Sequence, residues 1–157
     1  MTLKGQLGAL DIFVVYLTSG SAGKAERLEC IQKVDKAIKD KNSVLSIVTG
    51  DFNFVEHTND RFCHSEGSFT GDRDREEADA VAQTWKFKHG LFDWENDEYT
   101  CKSSAAYSRI DRIYSNHHVS DQLNGHINCT PLEWTHLSHH RALAFEKGNK
   151  NNKVLVR

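Results

Sequence analysis

The chain has 157 residues, which suits a single domain, and its 38% hydrophobic residues are enough for one packed core. A charged fraction of 27% excludes disorder as a description of the whole chain, and a formal net charge of −2 argues against a protein that holds nucleic acid by overall positive charge. The longest apolar run, Ile12–Leu17, is far shorter than the ~20 residues of a membrane span, so no membrane association is expected. Four widely spaced cysteines without a C-x-x-C pair predict reduced thiols in an intracellular protein, nuclear or cytoplasmic.

The first third of the chain predicts a strand–helix–strand unit. Leu10–Leu17 is β-branched and aromatic, which is typical of a buried strand, and Val44–Val48 is a second one. Between them, a helix is predicted from Ser21 to about Lys39. Its apolar face would consist of Leu28, Ile31, Val34 and Ile38.

The rest of the chain predicts a long loop, a second helix and several short strands. Residues 56–77 are polar and punctuated by glycine, which favours a loop. The helix is expected from about Glu76 to His89, and its periodicity places Trp85 in the core. Short strands are expected near Tyr99–Cys101, Arg109–Tyr114, His126–Cys129 and Ala142–Phe145. One domain over 1–147 and a polar tail over 148–157 follow from this pattern.

Gly50-Asp51-Phe52-Asn53 follows directly after the second buried strand. Glycine permits a tight turn, and a carboxylate and an amide then emerge together at the carboxyl end of a strand, where α/β sheets form sites. Aspartate supplies a hard oxygen for Mg²⁺, and asparagine can donate to a phosphate oxygen. An ordinary turn uses the same residue types, so the tetrapeptide alone leaves both interpretations open.

A strand that contains charged residues is predicted for the segment Ser108-Arg109-Ile110-Asp111-Arg112-Ile113-Tyr114. Alternation would place Arg109, Asp111 and Ile113 on one face. A half-buried aspartate needs a partner, and a catalytic histidine is one possibility. An edge strand with solvated charges is the alternative.

The segment Leu137–Leu143 carries two adjacent histidines, His139 and His140, in a polar turn before the last strand. Histidine clusters suggest zinc, and His136 lies close in sequence. No helical pair of histidines four residues apart accompanies a glutamate here, which argues against a dedicated zinc site of that type.

Taken in order, these segments resemble the endonuclease/exonuclease/phosphatase superfamily, the DNase I-like phosphoesterases. Gly50–Asn53, Ser108–Ile113 and Ser138–His140 are similar to its G-D-F-N, S-R-I-D-R-I and S-D-H signatures, and Tyr16–Gly20 is similar to its tyrosine-bearing segment. Ser108–Tyr114 looks most like the endonuclease domains of non-LTR retroelements. The resemblance covers about Leu10 to Lys147.

The resemblance implies an α/β fold, part of a four-layered sandwich in which two sheets lie face to face with helices outside. Two departures accompany it. His139 stands where the family has aspartate, and the family's amino-terminal half, which carries an asparagine and a metal-binding glutamate, has no counterpart here. The chain is therefore expected to be a carboxy-terminal fragment that is catalytically incomplete by itself.

The resemblance also implies hydrolysis of phosphodiesters with Mg²⁺ or Mn²⁺, and nucleic acid, DNA first, as the partner. His140, oriented by Asp111, would act as general base or phosphate contact. The implied catalytic residues are Asp51, Asn53, Asp111 and His140. The implied phosphate or substrate contacts are Tyr16, Asn53 and Arg109. Asp51 would bind the metal. His139 is a weaker candidate ligand, because a neutral imidazole is a poor Mg²⁺ ligand.

Two other functions remain compatible with the sequence: a catalytically dead binding or assembly remnant, and a phosphatase of the same superfamily that acts on lipid or inositol phosphates. Half of such a sandwich would also leave one sheet face without its partner. Since the two buried strands are apolar on both sides, self-association through that face is expected.

Overall fold

The computed structural model describes residues 1–5, 8–39, 44–94, 96–116 and 127–147. The tail predicted from Gly148 onward lies outside these ranges. Within them, no helix combines the length and apolar character needed to cross a membrane.

A five-stranded mixed sheet forms the centre of the fold. Its strands are β1 (Thr2–Gly5), β2 (Gly8–Tyr16), β3 (Val44–Asp51), β6 (Phe92–Asp93) and β9 (Asp111–Ser115). Their spatial order is β1-β2-β3-β9-β6; β2 and β3 run parallel, and the other neighbours in this sheet are antiparallel. The two long parallel strands confirm the predicted strand–helix–strand unit, since a parallel pair needs a crossover connection.

Two helical segments cover one face of this sheet. α1 (Lys24–Ala37) connects β2 to β3, and α2 (Arg75–Val81) continues as a π-helix over Ala82–Lys88. Both predicted helices are confirmed in position. A 3₁₀ turn, Ser21–Gly23, precedes α1 where the sequence predicted α-helix. The π-helical part of the second segment is not visible in a pattern that is read with a period of 3.6 residues.

The main hydrophobic core lies between these helices and the sheet. Trp85 is 1% exposed and makes edge-to-face contacts with Phe52 and Tyr114, at centroid distances of 5.9 and 5.4 Å. Its indole N–H donates to the Ile31 carbonyl at 3.1 Å, which satisfies the one polar atom of the ring. The predicted core position of Trp85 is confirmed.

The opposite face of the sheet is covered at its β9–β6 end. β10 (Ile127–Pro131) and β11 (Leu143–Lys147) form an antiparallel pair whose apolar side chains pack there. This smaller cluster consists of Trp94, Ile113, Ile47, Phe92, Cys129, Leu143 and Phe145. On β2, by contrast, Val14 and Tyr16 are 78% and 80% exposed.

A second sheet consists of β4 (Arg61–Cys63), β5 (Ser68–Phe69), β7 (Cys101–Lys102) and β8 (Ala106–Ser108). Its spatial order is β5-β4-β8-β7. The prediction of one uninterrupted loop over 56–77 is therefore wrong at β4 and β5. Strands of two or three residues are too short to show an alternating pattern.

The segment Arg109–Tyr114, predicted as one strand, is divided between the two sheets. β8 ends at Ser108 in the second sheet, and β9 begins at Asp111 in the central sheet. The chain passes between sheets at Arg109 and Ile110, where the Arg109 N–H donates to the Asp60 carbonyl at 2.8 Å. The prediction that Arg109 and Asp111 share one strand face is therefore wrong.

Candidate active site

Sheet register brings three of the predicted site residues into one row. Tyr16 on β2 is the partner of Asp51 on β3, and Asp51 is the partner of Asp111 on β9. Directly paired residues point to the same side of a sheet, so these three side chains lie on the face opposite the helices. The row stands where β2 and β3 end and β9 begins.

In the Gly50–Asn53 turn, the backbone at Gly50 lies unusually close to the backbone of Val15 on the neighbouring strand. Gly50 has φ +143°, and a Cβ atom built there would lie 1.9 Å from the Val15 carbonyl oxygen. Only glycine fits this position. Phe52 then enters the main core with 0% exposure, and its N–H donates to the Ile110 carbonyl at 2.9 Å. The turn thus holds Asp51 between two anchored neighbours.

Asn53 orients the Asp51 carboxylate. Its backbone N–H donates to Asp51 Oδ1 at 2.9 Å, and its side-chain Nδ2 donates to Asp51 Oδ2 at 3.0 Å and to the Leu17 carbonyl at 2.8 Å. Asn53 has φ +50°, a left-handed conformation that asparagine tolerates. Both hydrogens of the Asn53 side-chain amide are therefore used in hydrogen bonds within the protein. The amide group predicted to donate to a phosphate donates to Asp51 and Leu17 instead.

Asp111 and His140 lie in direct contact although they are far apart in sequence. His140 Nδ1 is 3.1 Å from Asp111 Oδ1 and 3.0 Å from Asp111 Oδ2. His140 Nε2 lies on the other side of the ring, 4.0 Å from Asp51 Oδ2. Each of the three side chains offers one ligand atom within 4.8 Å of the other two. The predicted convergence of Asp51, Asn53, Asp111 and His140 is confirmed as geometry; their catalytic roles stay predictions.

The backbone around His140 is fixed by β7. His140 forms an isolated antiparallel bridge with Cys101, and the Arg141 N–H donates to the Thr100 carbonyl at 2.7 Å. Thr100, which is 0% exposed, also accepts at Oγ1 from the backbone N–H of Asp111 at 3.0 Å. Thr100 therefore ties the segment that carries His140 to the start of β9. Sequence reasoning missed Thr100 and Cys101, since neither residue type nor spacing marks them.

The electrostatics of the cluster favour a bound cation. Burial and the charge of Asp111 raise the pKa of Asp51 above its ordinary value, although the hydrogen bonds from Asn53 and the proximity of His140 oppose this. Burial and the charges of Asp111 and Asp51 likewise raise the pKa of the Cys101 thiol to about 11. Both pKa values are raised because several acidic groups lie close together where water is partly excluded.

Arg109 does not lie in this cluster, and its predicted role as a phosphate contact is corrected. Its guanidinium is 4% exposed and forms an ion pair with Asp93 at 2.8 Å. Arg112, which is fully buried, contacts Asp93 and Asp60 in the same group. Burial would raise the pKa of Asp93, but Arg112 and Arg109 outweigh it and hold that pKa below its ordinary value. The alternative of solvated edge-strand charges is therefore wrong as well.

His139 is exposed and is not one of the three clustered ligands found among the described residues. Its carbonyl accepts from the Lys102 N–H at 2.9 Å, so its backbone belongs to the β7 connection. Its proposed weak metal role finds no geometric support. All four cysteines are free thiols, as predicted.

A groove beside Asn53 is lined by four basic side chains. Each of them is paired with an acidic neighbour: Lys24 with Glu76, Arg27 with Glu77, Arg61 with Asp74, and Arg73 with Glu66. Arg27 and Glu77 are almost completely buried, at 4% and 1% side-chain exposure, so the donors accessible next to the Asp51 turn are those of Lys24, Arg61 and Arg73, without a large excess of positive charge.

Comparison with known proteins identifies the fold. No protein-family profile and no curated protein sequence matches the chain. Among solved structures, an AP endonuclease from Archaeoglobus fulgidus matches with a TM-score of 0.59 at 15% identity, over 88% of this chain and 61% of that chain. A humanized D. rerio TDP2 carrying 14 mutations matches with a TM-score of 0.54 at 18% identity, over 88% of this chain and 56% of that one.

The chain has a DNase I-like fold. The predicted α/β fold class is therefore confirmed, and the chain spans about 60% of the length of these two structures. At such low identity the likeness concerns the fold alone. The closer relationship to retroelement endonucleases stays a prediction.

Proposed function

We propose that the protein is a metal-dependent phosphodiester hydrolase, an endonuclease of the retroelement type that acts on DNA. The observation that carries the proposal is the contact of His140 with Asp111 beside Asp51, at the end of the central sheet of a DNase I-like fold. The retroelement type is supported by the sequence similarity of Ser108–Tyr114. Nucleic acid as the substrate is supported by that similarity and by the endonuclease named among the structural neighbours.

The donor set fits a hard divalent cation. Asp51 and Asp111 are register partners on adjacent strands, and both carboxylates are only partly buried, at 12% and 16% side-chain exposure. Carboxylate oxygens are the ligands that Mg²⁺ and Mn²⁺ prefer. Asp51 and Asp111 would hold the ion, which supplies positive charge to the phosphoryl oxygens and the leaving group.

His140 is placed to act as the general base. Asp111 faces Nδ1, so the neutral ring carries its hydrogen there and leaves the lone pair of Nε2 on the side of Cys101 Sγ, at 3.5 Å, and of Asp51 Oδ2, at 4.0 Å. A water held by Asp51 could then pass a proton to Nε2 as it attacks phosphorus. Asn53 is a positioning residue for Asp51, and Tyr16, which is exposed and on the same face, is available to contact a phosphate.

The basic groove beside Asn53 provides a path for the substrate. Arg61 and Arg73, which are accessible to solvent, can exchange a carboxylate for a phosphate, because a guanidinium binds either with the same forked geometry. The near-neutral net charge confines this attraction to the groove.

A plasmid-nicking assay tests the proposal. Since the chain spans about 60% of its structural neighbours, the assay is run with protein in excess over supercoiled DNA, where a single slow turnover is measurable. Mg²⁺- or Mn²⁺-dependent nicking is expected. Asp111→Asn should slow it at least ~10²-fold, because general acid–base catalysis contributes about 10²–10⁴-fold. The exposed Asp72→Asn is the matched control and should nick at the wild-type rate.

Two results would favour the other functions. DNA binding without metal-dependent cleavage indicates a binding remnant. Release of phosphate from inositol phosphates with intact plasmid indicates a phosphatase. Either outcome, or equal nicking by Asp111→Asn, contradicts the proposal.

We also propose that the exposed face of β2 mediates self-association. Val14, which is 78% exposed, presents apolar surface on the side of the sheet that β10 and β11 leave uncovered. Sedimentation velocity should show a dimer or larger species that Val14→Lys converts to monomer. Phe87→Lys, at a 94% exposed position on the π-helix, is the control and should leave the assembly intact. A monomer at every concentration would exclude this role.

A further inference from the structure

One face of the second sheet carries an aromatic row, which consists of Phe69, Phe62 and Tyr107. Phe69 on β5 and Tyr107 on β8 are both register partners of Phe62 on β4, so the three side chains leave the sheet on the same side. Lys102 on β7 is the register partner of Tyr107 and continues the row. Together these side chains cross all four strands, a distance of about 14 Å at a strand spacing of ~4.8 Å.

The rings of the aromatic row belong to one contiguous surface. Phe62 and Phe69 meet edge to face at a centroid distance of 5.5 Å. His64 contacts both Phe62 and Tyr107, at 6.3 and 4.7 Å, and Tyr99 stacks on Tyr107 at 5.8 Å. Phe69 and Tyr107 nevertheless remain 51% and 41% exposed. Aromatic side chains that stay this exposed within one patch indicate an interaction site.

Lys102 supplies a positive charge at one end of the aromatic row. Its Nζ lies 4.6 Å from the centroid of the Trp134 ring, which is a cation–π contact. The preceding residue, Cys101, is bridged to His140 and lies on the other face of the strand. The charged end of the row is therefore one residue away from the candidate active site.

The other end of the aromatic row borders a cavity of about 270 Å³, which Phe69 and Tyr99 help to line. Arg109 and Asn96 line it as well, and three of their buried donors, Arg109 Nε and Nη2 and Asn96 Nδ2, have no acceptor among the described residues. An apolar protein surface placed over the cavity would leave these donors unpaired, which is costly. The edge of a nucleobase, by contrast, carries carbonyl oxygens and ring nitrogens that accept hydrogen bonds.

We infer that the aromatic row binds an unpaired stretch of nucleic acid, with its bases on the rings and its backbone toward Lys102. A four-stranded sheet that presents aromatic side chains is one way in which proteins stack two or three unpaired bases. Every base has a π-face, so such stacking tolerates any sequence. Phosphates belong at the Lys102 end, because the exposed Asp97 and Glu98 line the cavity at the other end and would repel them. Binding of this kind needs neither the metal nor the active site, so the inference does not depend on hydrolysis.

Fluorescence anisotropy tests the inference under conditions that prevent cleavage. The probe is a labelled single-stranded DNA of about a dozen nucleotides, a length within the usual site size for such strands, in buffer with EDTA. The wild-type chain should bind it more tightly than the duplex of the same sequence. Tyr107→Ala and Phe69→Ala should each weaken binding about 5- to 150-fold, the effect of losing one stack between a base and an aromatic ring. Single-stranded RNA of the same sequence is a second probe, and the tighter binder of the two identifies the sugar.

Three further variants separate stacking from other effects. Phe87→Ala is the matched control, since Phe87 is 94% exposed on the π-helix, and its affinity should equal that of the wild type. Tyr107→Phe keeps the ring and should also bind like the wild type. Lys102→Gln should make the slope of log affinity against log salt concentration less steep by ~0.7, the contribution of one phosphate contact on a single strand. Thermal unfolding of each variant verifies that it is folded.

Unchanged affinity in folded Tyr107→Ala and Phe69→Ala overturns the inference, and so does tighter binding to the duplex. If these variants change only the sedimentation coefficient, the row is a protein interface and the inference is wrong. This proposal and the hydrolase fail separately. A chain that binds single strands through the row but never nicks plasmid supports the inference and contradicts the hydrolase. Metal-dependent nicking by a chain whose affinity for single strands does not depend on the row has the opposite meaning.

Discussion

Replacing Asp93 with asparagine should strongly destabilise the fold. The Asp93 carboxylate is 1% exposed and contacts the guanidinium groups of both Arg109 and Arg112, with Asp60 as the second anion of the group. The substitution keeps the shape of the side chain but removes one of two negative charges from a buried group that holds two positive ones. Arg109 Nε, Arg109 Nη2 and Arg112 Nε already lack an acceptor among the described residues, so no spare partner can compensate.

The expected loss is about 3–5 kcal/mol in the free energy of unfolding, the range found when one partner of a buried ion pair is removed. That is a large part of the 5–15 kcal/mol that holds a typical domain together. With a urea m-value of about 2 kcal/mol per molar, the unfolding midpoint should fall by ~1.5–2.5 M at unchanged m.

Urea unfolding followed by tryptophan fluorescence measures this shift, because Trp94 and Trp85 are both buried. Asp72→Asn, at an exposed aspartate, is the control and should stay within ~0.5 kcal/mol of the wild type. A loss below about 1 kcal/mol in Asp93→Asn would refute the ion-pair argument. It would also reopen the assignment of Arg109 to a phosphate, since a guanidinium that the fold does not need is free for a ligand.

Three further predictions test the same physical reasoning. Because the pKa of Asp93 is lowered in the folded state, its contribution to stability is present above the unfolded pKa of about 3.9 and lost as pH falls through the folded pKa. The stability difference between wild type and Asp93→Asn should therefore be constant above pH ~5 and shrink in acid unfolding below pH ~4; a difference that grows in acid contradicts the sign. Gly50→Ala places a Cβ atom 1.9 Å from the Val15 carbonyl oxygen, so the free energy of unfolding, measured by circular dichroism, should fall by at least ~2 kcal/mol. An unchanged free energy of unfolding would show that the backbone of Gly50 does not lie this close to Val15. His139→Asp adds a carboxylate one residue from His140 and should raise the Mg²⁺ affinity measured by calorimetric titration; an unchanged affinity would show that the lost charge is unimportant.

Features set by local periodicity could be predicted from the sequence. The apolar run before Gly50 predicted a buried strand, and the spacing of Leu28, Ile31, Val34 and Ile38 predicted an amphipathic helix. Ile31, Val34 and Ile38 are core residues, whereas Leu28 is only half-buried and lies outside that core. Both patterns repeat within a few residues, so they need no knowledge of distant segments. The turn at Gly50–Asn53 was predictable for the same reason.

Features set by pairing between distant segments could not be predicted. The change of sheet at Arg109 depends on the contact of its N–H with Asp60, and a charged residue in an alternating pattern does not reveal which partner it will meet. The short strands β4, β5 and β7 exist because they pair with β8 and with one another, and they have too few residues to carry a signal of their own.

The sequence by itself determined the parallel strand pair, its crossover helix, and the residue types of the candidate site, because periodicity and turn chemistry are local properties. The resemblance of its motifs to the DNase I-like phosphoesterases implied in addition that Asp111 and His140 would meet. Only the tertiary structure decided that Arg109 is a buried ion-pair partner rather than a phosphate contact. It also decided that Asn53 donates its hydrogen bonds to Asp51 and to the Leu17 carbonyl, and that Cys101 faces His140 Nε2. These outcomes depend on strand register and burial, which arise when segments far apart in sequence pack together, and no local pattern of residues encodes them.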